Sequence, residues 1–239
     1  MENRLINAQE QKRAAAQYAA AMVEDGMTVG LGSGTTAMMA VEAIGDRVRQ
    51  GLHVVGVPTS EATARLARSF GISLVSLDER GRLDLAIDGA DEVDPQLNLI
   101  KGHGGALLRE KIVARAAARF VVIVDDSKRV IRLGQRAPLP VEVVPFGWTT
   151  TKLRLEWLSL SCDLRGGETP FKTASNNYIL DCHPAAAIDL ATPLVADAIK
   201  TQTGVVEHGL FLGLATTVVV GKTNGKVDVL HRPAPTPAA

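Results

Sequence analysis

A segment rich in glycine and hydroxyl residues, Gly30-Leu31-Gly32-Ser33-Gly34-Thr35-Thr36, joins a β-rich run to a helical stretch. Backbone amides at the start of such a helix can bind an anion, and three neighbouring hydroxyls suit a phosphate. No lysine follows the last glycine, so this is not a P-loop, and the third glycine of the dinucleotide-binding fingerprint is missing. A tight turn with a Ser or Thr helix cap is the alternative interpretation.

A group of carboxylates, Asp88-Gly89-Ala90-Asp91-Glu92-Val93-Asp94, directly follows a predicted strand over residues 83–87. Ligand crevices in open α/β sheets lie beyond the carboxyl ends of strands, so Asp88 and Asp91 could both reach a substrate there. A turn with solvated carboxylates is the alternative. A calcium loop is disfavoured because these acids recur every third residue, whereas an EF-hand needs every second.

Lys101 precedes a glycine-rich turn over residues 102–105, and a helix that contains Glu110 follows the turn. The helical period places Glu110 among the apolar residues Leu107, Val113, Ala114 and Ala117. A carboxylate on such a face either lines a cavity or carries a large desolvation cost. This placement suits a general base whose pKa is raised toward neutrality, although Arg109 and Lys111 could keep the helix surface solvated.

A fourth polar segment, Asp125-Asp126-Ser127-Lys128, follows the predicted buried strand 120–124. A helix cap by Ser127 or one of the aspartates explains the acids without function, and Lys128 is then a surface cation or a phosphate partner. The histidines show no metal-ligand spacing, and His103 alone could line a pocket. They are His53, His103, His183, His208 and His231. No Ser–His–Asp set stands at usable positions.

Composition bounds the class of protein. The chain has 239 residues, of which 46% are hydrophobic and 22% charged, so a buried core is available and wholesale disorder is excluded. Equal numbers of basic and acidic residues leave no broad basic field for nucleic acid. No segment reaches membrane-spanning length or resembles a signal peptide, which predicts a soluble, cytoplasmic protein. Cys162 and Cys182 are therefore expected to be free thiols, a disulfide between neighbouring strands being the disfavoured alternative.

Alternating β-rich and helical stretches predict the elements that position these residues, in a Rossmann-like α/β fold with a parallel sheet covered by helices. Helices are expected over residues 9–25, 35–49, 60–70 and 105–119, and strands over 27–31, 53–57, 72–77, 83–87, 120–124 and 216–220. Between them, a βαββαβ order predicts an inserted, ferredoxin-like α+β unit. The expected domains are 1–134 with 209–239, and 135–208, with disorder from His231 through the 232–239 tail.

Seven segments, in this order, resemble the ribose-5-phosphate isomerase type A family. They are VGLGSGTTA (29–37), VPTSEAT (57–63), DLAIDGADEVD (84–94), KGHGGALLREKIVA (101–114), DDSK (125–128), LPVEVVPF (139–146) and GVVEHGLF (204–211). The resemblance implies interconversion of D-ribose 5-phosphate and D-ribulose 5-phosphate through a cis-enediolate. It also implies no metal or other cofactor, no nucleic-acid or membrane partner, and a homodimer or dimer-based tetramer.

The resemblance also implies roles for individual residues. Glu110 would move a proton between C1 and C2, Asp91 would handle the hydroxyl and carbonyl protons, and Lys101 would stabilise the enediolate oxyanion. Asp88 would assist ring opening or orient that network. The implied substrate-binding positions are Gly32, Ser33, Gly34, Thr35 and Thr36 in the phosphate loop, the cations Lys12 and Lys128, and Gly102 and Gly104.

Three departures from the family pattern and two competing functions accompany this resemblance. His103 stands where the family usually has glycine, Glu61 and Ala62 differ from the usual VPTS continuation, and residues 147–203 match less well. A phosphosugar-sensing domain would carry a helix-turn-helix ahead of it, but only about 26 residues precede the first predicted strand. A related deaminase or lactonase would need a different acid–base set, generally with a histidine.

Overall fold

The computed structural model describes residues 6–232, which form seven α-helices and fourteen strands. The helices are α1 (Ala8–Ala21), α2 (Gly34–Arg49), α3 (Glu61–Ser69), α4 (Leu77–Arg80), α5 (Leu107–Ala116), α6 (Trp148–Trp157) and α7 (Pro193–Lys200). The first seven strands are β1 (Thr28–Leu31), β2 (Val55–Pro58), β3 (Ser73–Leu74), β4 (Leu83–Asp88), β5 (Glu92–Val93), β6 (Leu99–Ile100) and β7 (Ala117–Asp125). The others are β8 (Leu139–Val143), β9 (Leu160–Leu164), β10 (Tyr178–Pro184), β11 (Val205–His208), β12 (Leu210–Phe211), β13 (Thr217–Gly221) and β14 (Val227–His231).

A seven-stranded sheet in the order β14-β13-β7-β4-β1-β2-β3 forms the centre of the fold. Its neighbouring strands pair in parallel, except that β13 and β14 are antiparallel. Parallel pairing brings the carboxyl ends of β1, β4 and β7 to one edge, where the polar segments of the sequence follow them. The expected α/β class with a mostly parallel sheet is confirmed.

Successive side chains of a strand point to opposite faces of the sheet, so the apolar side chains of the large sheet are divided between two cores. Val121 and Ile123 of β7 point to the core formed with the alanines of α1 and with α2 and α3. Phe120, Val122 and Val124 point to the opposite core, which α5 covers through Val113 and Ala114. Both faces of the sheet are therefore buried, which explains the uninterrupted apolar run in β7.

The segment between the two halves of this sheet builds an antiparallel four-stranded sheet in the order β11-β8-β10-β9. Helices α6 and α7 contribute Leu155 and Ile199 to a third core against it. The element order β8-α6-β9-β10-α7-β11 is the expected βαββαβ order. A short sheet, β12-β6-β5, is a feature that the sequence analysis did not predict.

Cys162 and Cys182 form a disulfide, contrary to the expectation of free thiols. The antiparallel register of β9 and β10 places the two residues directly opposite each other, with Cα atoms 4.0 Å apart. Both side chains are buried in the core of the small sheet. The sequence analysis considered this pairing and disfavoured it on the ground of a reducing compartment, but the register of the two strands brings the thiols together.

Several predicted boundaries were also wrong. Strand β7 begins at Ala117, so the helix predicted to reach residue 119 ends at Ala116. The strand predicted over 72–77 is two residues long and is followed by α4. His231 ends β14, and the Arg232 side chain donates to the Leu97 and Ala215 carbonyls, so disorder does not begin at His231. The rest of the predicted tail, 233–239, lies outside the described residues. Within residues 6–232 no helix is long and apolar enough to span a membrane.

Candidate active site

A cavity of about 430 Å³ lies at the carboxyl edge of the large sheet. Six structural elements surround it: α1, the turn from β1 into α2, the start of α3, the loop after β4, the turn into α5, and the short 3₁₀-helix after β7. Its lining residues are Lys12, Ser33, Gly34, Thr35, Thr36, Met38, Ser60, Ala62, Gly89, Ala90, Asp91, Lys101, Gly102, Gly104, Ala106, Glu110 and Lys128. The sequence segments singled out for chemistry therefore converge on one cavity.

One side of the cavity is suited to a phosphate. Ser33 is the N-cap of α2, and its hydroxyl hydrogen-bonds the Thr59 hydroxyl at 2.6 Å instead of capping the helix. The first amides of α2 thus remain available to an anion, at the end of the helix where the dipole favours negative charge. Lys12 and Lys128 line the same cavity. Lys12 Nζ lies 4.0 Å from Asp125 Oδ2, which accounts for the position of this cation.

The opposite side holds a buried group of one ammonium and two carboxyls. Lys101 Nζ lies 3.0 Å from Asp88 Oδ2 and 3.3 Å from Glu110 Oε2, and donates to the Gly89 carbonyl oxygen at 2.5 Å. Lys101 and Asp88 are each 3% exposed and Glu110 is 6% exposed. Apart from this contact with Lys101, Glu110 Oε2 has no hydrogen-bond partner among the described residues. An oxygen in this state at a cavity wall is available to accept a proton from a ligand.

Burial and charge determine the protonation of this group. Burial, and then the Asp88 charge, raise the pKa of Glu110 to about 8, and Lys101 opposes the rise. Burial also raises the pKa of Asp88, against the attraction of Lys101. Burial alone would lower the pKa of Lys101, but the charges of Asp88 and Glu110 hold it above its ordinary value. Asp88 also accepts from the Ser33 and Gly89 amides, so we assign the negative charge to Asp88 and the proton to Glu110 below about pH 8.

Asp91 also lines the cavity and is oriented by the glycine-rich turn. The His103 amide donates to Asp91 Oδ2 at 2.9 Å, and the Asp91 amide donates to the Ile100 carbonyl at 2.8 Å. Gly102 has φ +109°, and a Cβ there would lie 2.8 Å from Leu107, so only glycine fits. The His103 side chain is exposed and does not line the cavity, so it does not take the place in a pocket that the sequence allowed for it.

Gly32 is required by close packing beneath the site. A Cβ at this position would lie 2.3 Å from the Asp88 carboxyl group. The close approach allows the next amide, that of Ser33, to donate to Asp88 Oδ1 at 3.1 Å. Gly32 and Asp88 are the two predicted site residues that do not line the cavity. They lie behind its wall, where Asp88 contacts Lys101.

The acidic segment 88–94 divides between the site and the scaffold. Glu92 is fully buried, and its carboxylate accepts hydrogen bonds from the amides of Gly134, Arg136 and Ala137. These bonds fix the position of the segment that leads to β8. Asp94 accepts from the Gln96 and Asn98 amides and closes a turn. Of the four acids, only Asp88 and Asp91 therefore belong to the site, as expected.

Sequence reasoning missed some of the cavity lining and misplaced one cation. Met38, Ser60, Gly89, Ala90 and Ala106 were not named as site residues, although Met38 directly follows a segment that was singled out and the other four lie inside one. Ala62, at one of the departures from the family pattern, also lines the cavity. The alternative that Lys111 keeps the surface of α5 solvated is not what the structure shows, because its ammonium is buried and donates to Glu207 Oε1 at 2.8 Å. That contact spans 96 residues of sequence, so no local pattern could reveal it.

A parallel α/β fold with an anion-binding turn, a carboxyl of raised pKa and a buried lysine defines the site of an aldose–ketose isomerase for sugar phosphates. The sequence model of the family described as Ribose 5-phosphate isomerase A (phosphoriboisomerase A) matches residues 55–225. Ribose-5-phosphate isomerase A of Synechococcus sp. (strain JA-3-3Ab) is 51% identical over 225 residues, covering 92% of this chain and 97% of the relative.

Two solved structures are also similar. D-ribose-5-phosphate isomerase in complex with phospho-erythronic acid has a TM-score of 0.90 and 39% identity, covering 95% of this chain and all of the other. Ribose 5-phosphate isomerase A from Methanocaldococcus jannaschii has a TM-score of 0.86 and 38% identity, covering 92% of this chain and 98% of the other. The chain belongs to the ribose 5-phosphate isomerase A family. It is an isomerase that interconverts D-ribose 5-phosphate and D-ribulose 5-phosphate through a cis-enediolate in the non-oxidative pentose phosphate pathway.

Proposed function

We propose that Glu110 is the base of this isomerisation. Its carboxylate removes the proton from C2 of the open-chain aldose and returns it to C1, while the C1 carbonyl oxygen becomes a hydroxyl. The single observation that carries this proposal is the position of Glu110 Oε2, which is buried at the cavity wall with the Lys101 ammonium 3.3 Å away. Since the pKa of Glu110 is raised to about 8, its carboxylate is a stronger base than an ordinary glutamate.

Lys101 is proposed to stabilise the negative charge that develops on the enediolate oxygen. Its ammonium lies within ion-pair distance of Glu110 and lines the same cavity, so it faces the atoms that Glu110 deprotonates. Asp88 has no access to the cavity and accepts from two amides and Lys101. We therefore propose that Asp88 orients the Lys101 side chain and that it does not assist ring opening.

Asp91 is proposed to carry the proton between the two oxygens of the substrate. It lines the cavity, and its charge is close enough to raise the pKa of both Lys101 and Glu110. The transfer balances when Asp91 accepts the proton of the C2 hydroxyl as that oxygen becomes a carbonyl and donates a proton to the oxygen at C1.

The phosphate is proposed to bind at the first turn of α2, with Ser33, Gly34, Thr35 and Thr36 as donors and Lys12 and Lys128 as counter-charges. Gly102 and Gly104 then border the sugar chain, while Gly32 keeps the loop close to Asp88. Phospho-erythronic acid, the ligand of one solved relative, is by its name a phosphorylated sugar acid, with a phosphate and a carboxylate on one short chain. We expect it to bind this chain across the same cavity.

The assay for these roles is conversion of D-ribose 5-phosphate to D-ribulose 5-phosphate, with EDTA present, by the wild type and by Glu110→Gln. The variant keeps the size of the side chain and removes the base, so turnover is expected to fall by about 10²–10⁴-fold. Affinity for phospho-erythronic acid should change much less, since the phosphate contacts remain. A variant that binds the acid and isomerises at the wild-type rate would exclude Glu110 as the base.

We also propose that residues 1–134 with 209–239 form the catalytic domain and that 135–208 form a small domain at a subunit contact. The cavity-lining residues all fall between Lys12 and Lys128, which supports this division. The small unit exposes apolar side chains next to one another: Leu153 and Trp157 lie one turn apart on α6 and are 54% and 81% exposed. Phe146, just before the helix, is 94% exposed.

A second copy of the chain is the occupant we propose for this surface, giving a homodimer or a dimer-based tetramer. Mass measurement by light scattering should show a dimer or tetramer for the wild type and a smaller species for Trp157→Glu. Ile131→Glu is the matched control, because Ile131 is 85% exposed but lies outside the small unit. A monomeric wild type would contradict the proposal.

A cytoplasmic location is proposed from the activity, because the substrates are intermediates of central carbon metabolism. The disulfide of the small sheet makes this testable by the state of Cys162 and Cys182 in cells quenched with acid. Glutathione keeps most cytoplasmic thiols reduced, so the pair should be found reduced there and form only in the purified protein. A cytoplasmic location would be contradicted if the two cysteines were fully oxidised in the cell and the protein were recovered in the cell fraction of an oxidising compartment.

A further inference from the structure

Arg165, which follows strand β9 of the small sheet, reaches the glycine-rich turn of the catalytic cavity. Its Nη1 donates to the carbonyl oxygens of Gly102 at 3.1 Å and His103 at 2.9 Å. Asp181, on the adjacent strand β10, holds the other edge of the guanidinium, accepting from Nε at 2.8 Å and from Nη2. A bidentate carboxylate fixes the plane of the guanidinium, so its free edge is aimed at the turn.

One peptide group connects Arg165 to the cavity. The oxygen of the Gly102–His103 peptide accepts from Arg165, and the N–H of the same peptide donates to Asp91 Oδ2 at 2.9 Å. No cis peptide occurs among the described residues, so this group is planar and trans, with its oxygen and its N–H pointing in opposite directions. A donor that holds the oxygen therefore also aims the N–H at Asp91, and each hydrogen bond polarises the other.

The turn itself supplies one donor to this oxygen, since the Gly105 amide donates to the Gly102 carbonyl at 2.9 Å, and Arg165 adds a second donor from the small unit. Gly102, with φ +109°, lacks the side chain that restricts other residues, and a Cβ added at Gly104 would meet no atom within 4 Å. His103 contributes an exposed side chain. Without Arg165, the Gly105 amide is left as the donor to the Gly102 oxygen, so we expect the Gly102–His103 peptide to rotate more readily and its N–H to be aimed less well at Asp91.

We propose that Arg165 is a positioning residue of the isomerase, which orients Asp91 through the Gly102–His103 peptide. The inference rests on the role proposed above for Asp91. It assigns to the small unit a part in turnover in addition to any subunit contact. Arg165 itself does not line the cavity and contacts no reacting atom.

The test is a double-mutant cycle with Arg165→Met and Asp91→Asn in the full-length protein. Arg165→Met should lower kcat about 10- to 100-fold, as expected when a reacting group is misplaced, while KM for ribose 5-phosphate and inhibition by inorganic phosphate change less than about two-fold. In the Asp91→Asn background, the same substitution should lower kcat by less than about two-fold, because the group it positions is already lost.

Two further variants separate positioning from charge and from folding. Arg165→Lys keeps the charge but cannot hold both Asp181 oxygens and two carbonyls, so it should not restore kcat. Asp181→Asn keeps Arg165 and should lower kcat less than Arg165→Met. Arg154→Met, on α6 of the same unit, is the matched control and should leave kcat unchanged. The His103 amide, observed by NMR, should exchange faster in Arg165→Met but not in the control.

The outcomes distinguish the inference from the proposed function. Equal losses of kcat from Arg165→Met in both backgrounds, full activity of Arg165→Lys, or an unchanged His103 amide would overturn the role of Arg165 and leave that of Asp91 intact. If Asp91→Asn alone turned over at the wild-type rate, the proposed role of Asp91 would fail and the inference with it. Should Arg165→Met not fold, Asp181→Asn with the same amide measurement decides the matter.

Discussion

Lys101 Nζ lies 3.3 Å from Glu110 Oε2, and both groups are buried at the cavity wall. The two side chains come from the two sides of one glycine-rich turn, so the turn conformation sets their distance. Asp88 supplies a second carboxyl 3.0 Å from the same ammonium. One cation thus faces two carboxyls, and this imbalance, with burial, raises the pKa of Glu110 to about 8. The site holds a glutamate that gains and loses a proton close to neutrality.

The pH profile of kcat/KM should therefore follow the ionisation of Glu110. Because the base acts as the carboxylate, the rate should rise with pH up to an inflection near 8 and then level off. The profile is obtained from initial rates at low substrate concentration, with the phosphate of ribose 5-phosphate fully ionised above about pH 7.5 so that it does not mask the inflection. An inflection near the ordinary glutamate pKa would contradict this account.

The same raised pKa predicts how stability depends on pH. The folded protein retains the Glu110 proton to a higher pH than the unfolded chain does, so this group favours folding most at low pH. That contribution declines as pH rises from the unfolded pKa of 4.5 to the folded value of about 8. Glu110→Gln, which stays neutral, should thus gain stability relative to wild type as pH rises from about 4.5 to about 8, and the difference should level off above that. Denaturant unfolding at several pH values measures this difference, and a constant difference would argue against a buried, titrating Glu110.

Gly32→Ala should impair turnover without touching substrate. The added Cβ would lie 2.3 Å from the Asp88 carboxyl, so Asp88 must move and Lys101 loses its partner. We expect kcat to fall about 100-fold, with a loss of stability of about 1–3 kcal/mol from overpacking. Gly104→Ala is the control for stability, since no atom lies within 4 Å of the new Cβ. Equal unfolding midpoints for the two variants would contradict the packing argument.

Lys128→Ala should affect binding and spare the chemical step. Lys128 lines the phosphate side of the cavity, whereas the lysine that faces Glu110 is Lys101. Loss of one charge-assisted contact to phosphate should raise KM for ribose 5-phosphate about 10-fold, with kcat within about two-fold of the wild type. Inhibition by inorganic phosphate should weaken by a similar factor. A large fall in kcat at unchanged KM would place Lys128 at the reacting carbons instead.

Lys111→Met tests the buried pair behind the catalytic helix. Lys111 donates to Glu207 Oε1 and to the His208 carbonyl, and its burial lowers the pKa of Lys111 to about 8. Without the Lys111 ammonium, the half-buried Glu207 keeps the more exposed Lys200 as its lysine partner among the described residues. The free energy of unfolding, measured in urea, is therefore expected to fall by about 2–3 kcal/mol. Replacing Glu207 by Gln as well should recover part of the loss. Unchanged stability in Lys111→Met would show that the pair contributes nothing.

The parallel sheet and the cavity segments were predictable because the signals are local. Three glycines beside hydroxyls, acids after an apolar run and a glutamate on an apolar helix face each appear within a short stretch of sequence. Contacts between distant elements were not predictable. The hydrogen bond from Arg165 to the Gly102 carbonyl joins residues that are 63 positions apart in the sequence. The pairing of Cys162 with Cys182 depends on the register of two strands. Such contacts follow from tertiary packing and leave no periodic pattern.

The central claim, that the Glu110 carboxylate carries the proton between C1 and C2, is tested most directly by deuterium incorporation. Ribose 5-phosphate is incubated in D₂O with wild type or Glu110→Gln, and deuterium at C1 of the ketose and C2 of the aldose is measured by NMR. The account predicts incorporation with the wild type, from exchange of the proton on Glu110 with solvent, and none above background with Glu110→Gln while phospho-erythronic acid still binds. Incorporation at the wild-type rate by Glu110→Gln would show that another group is the base.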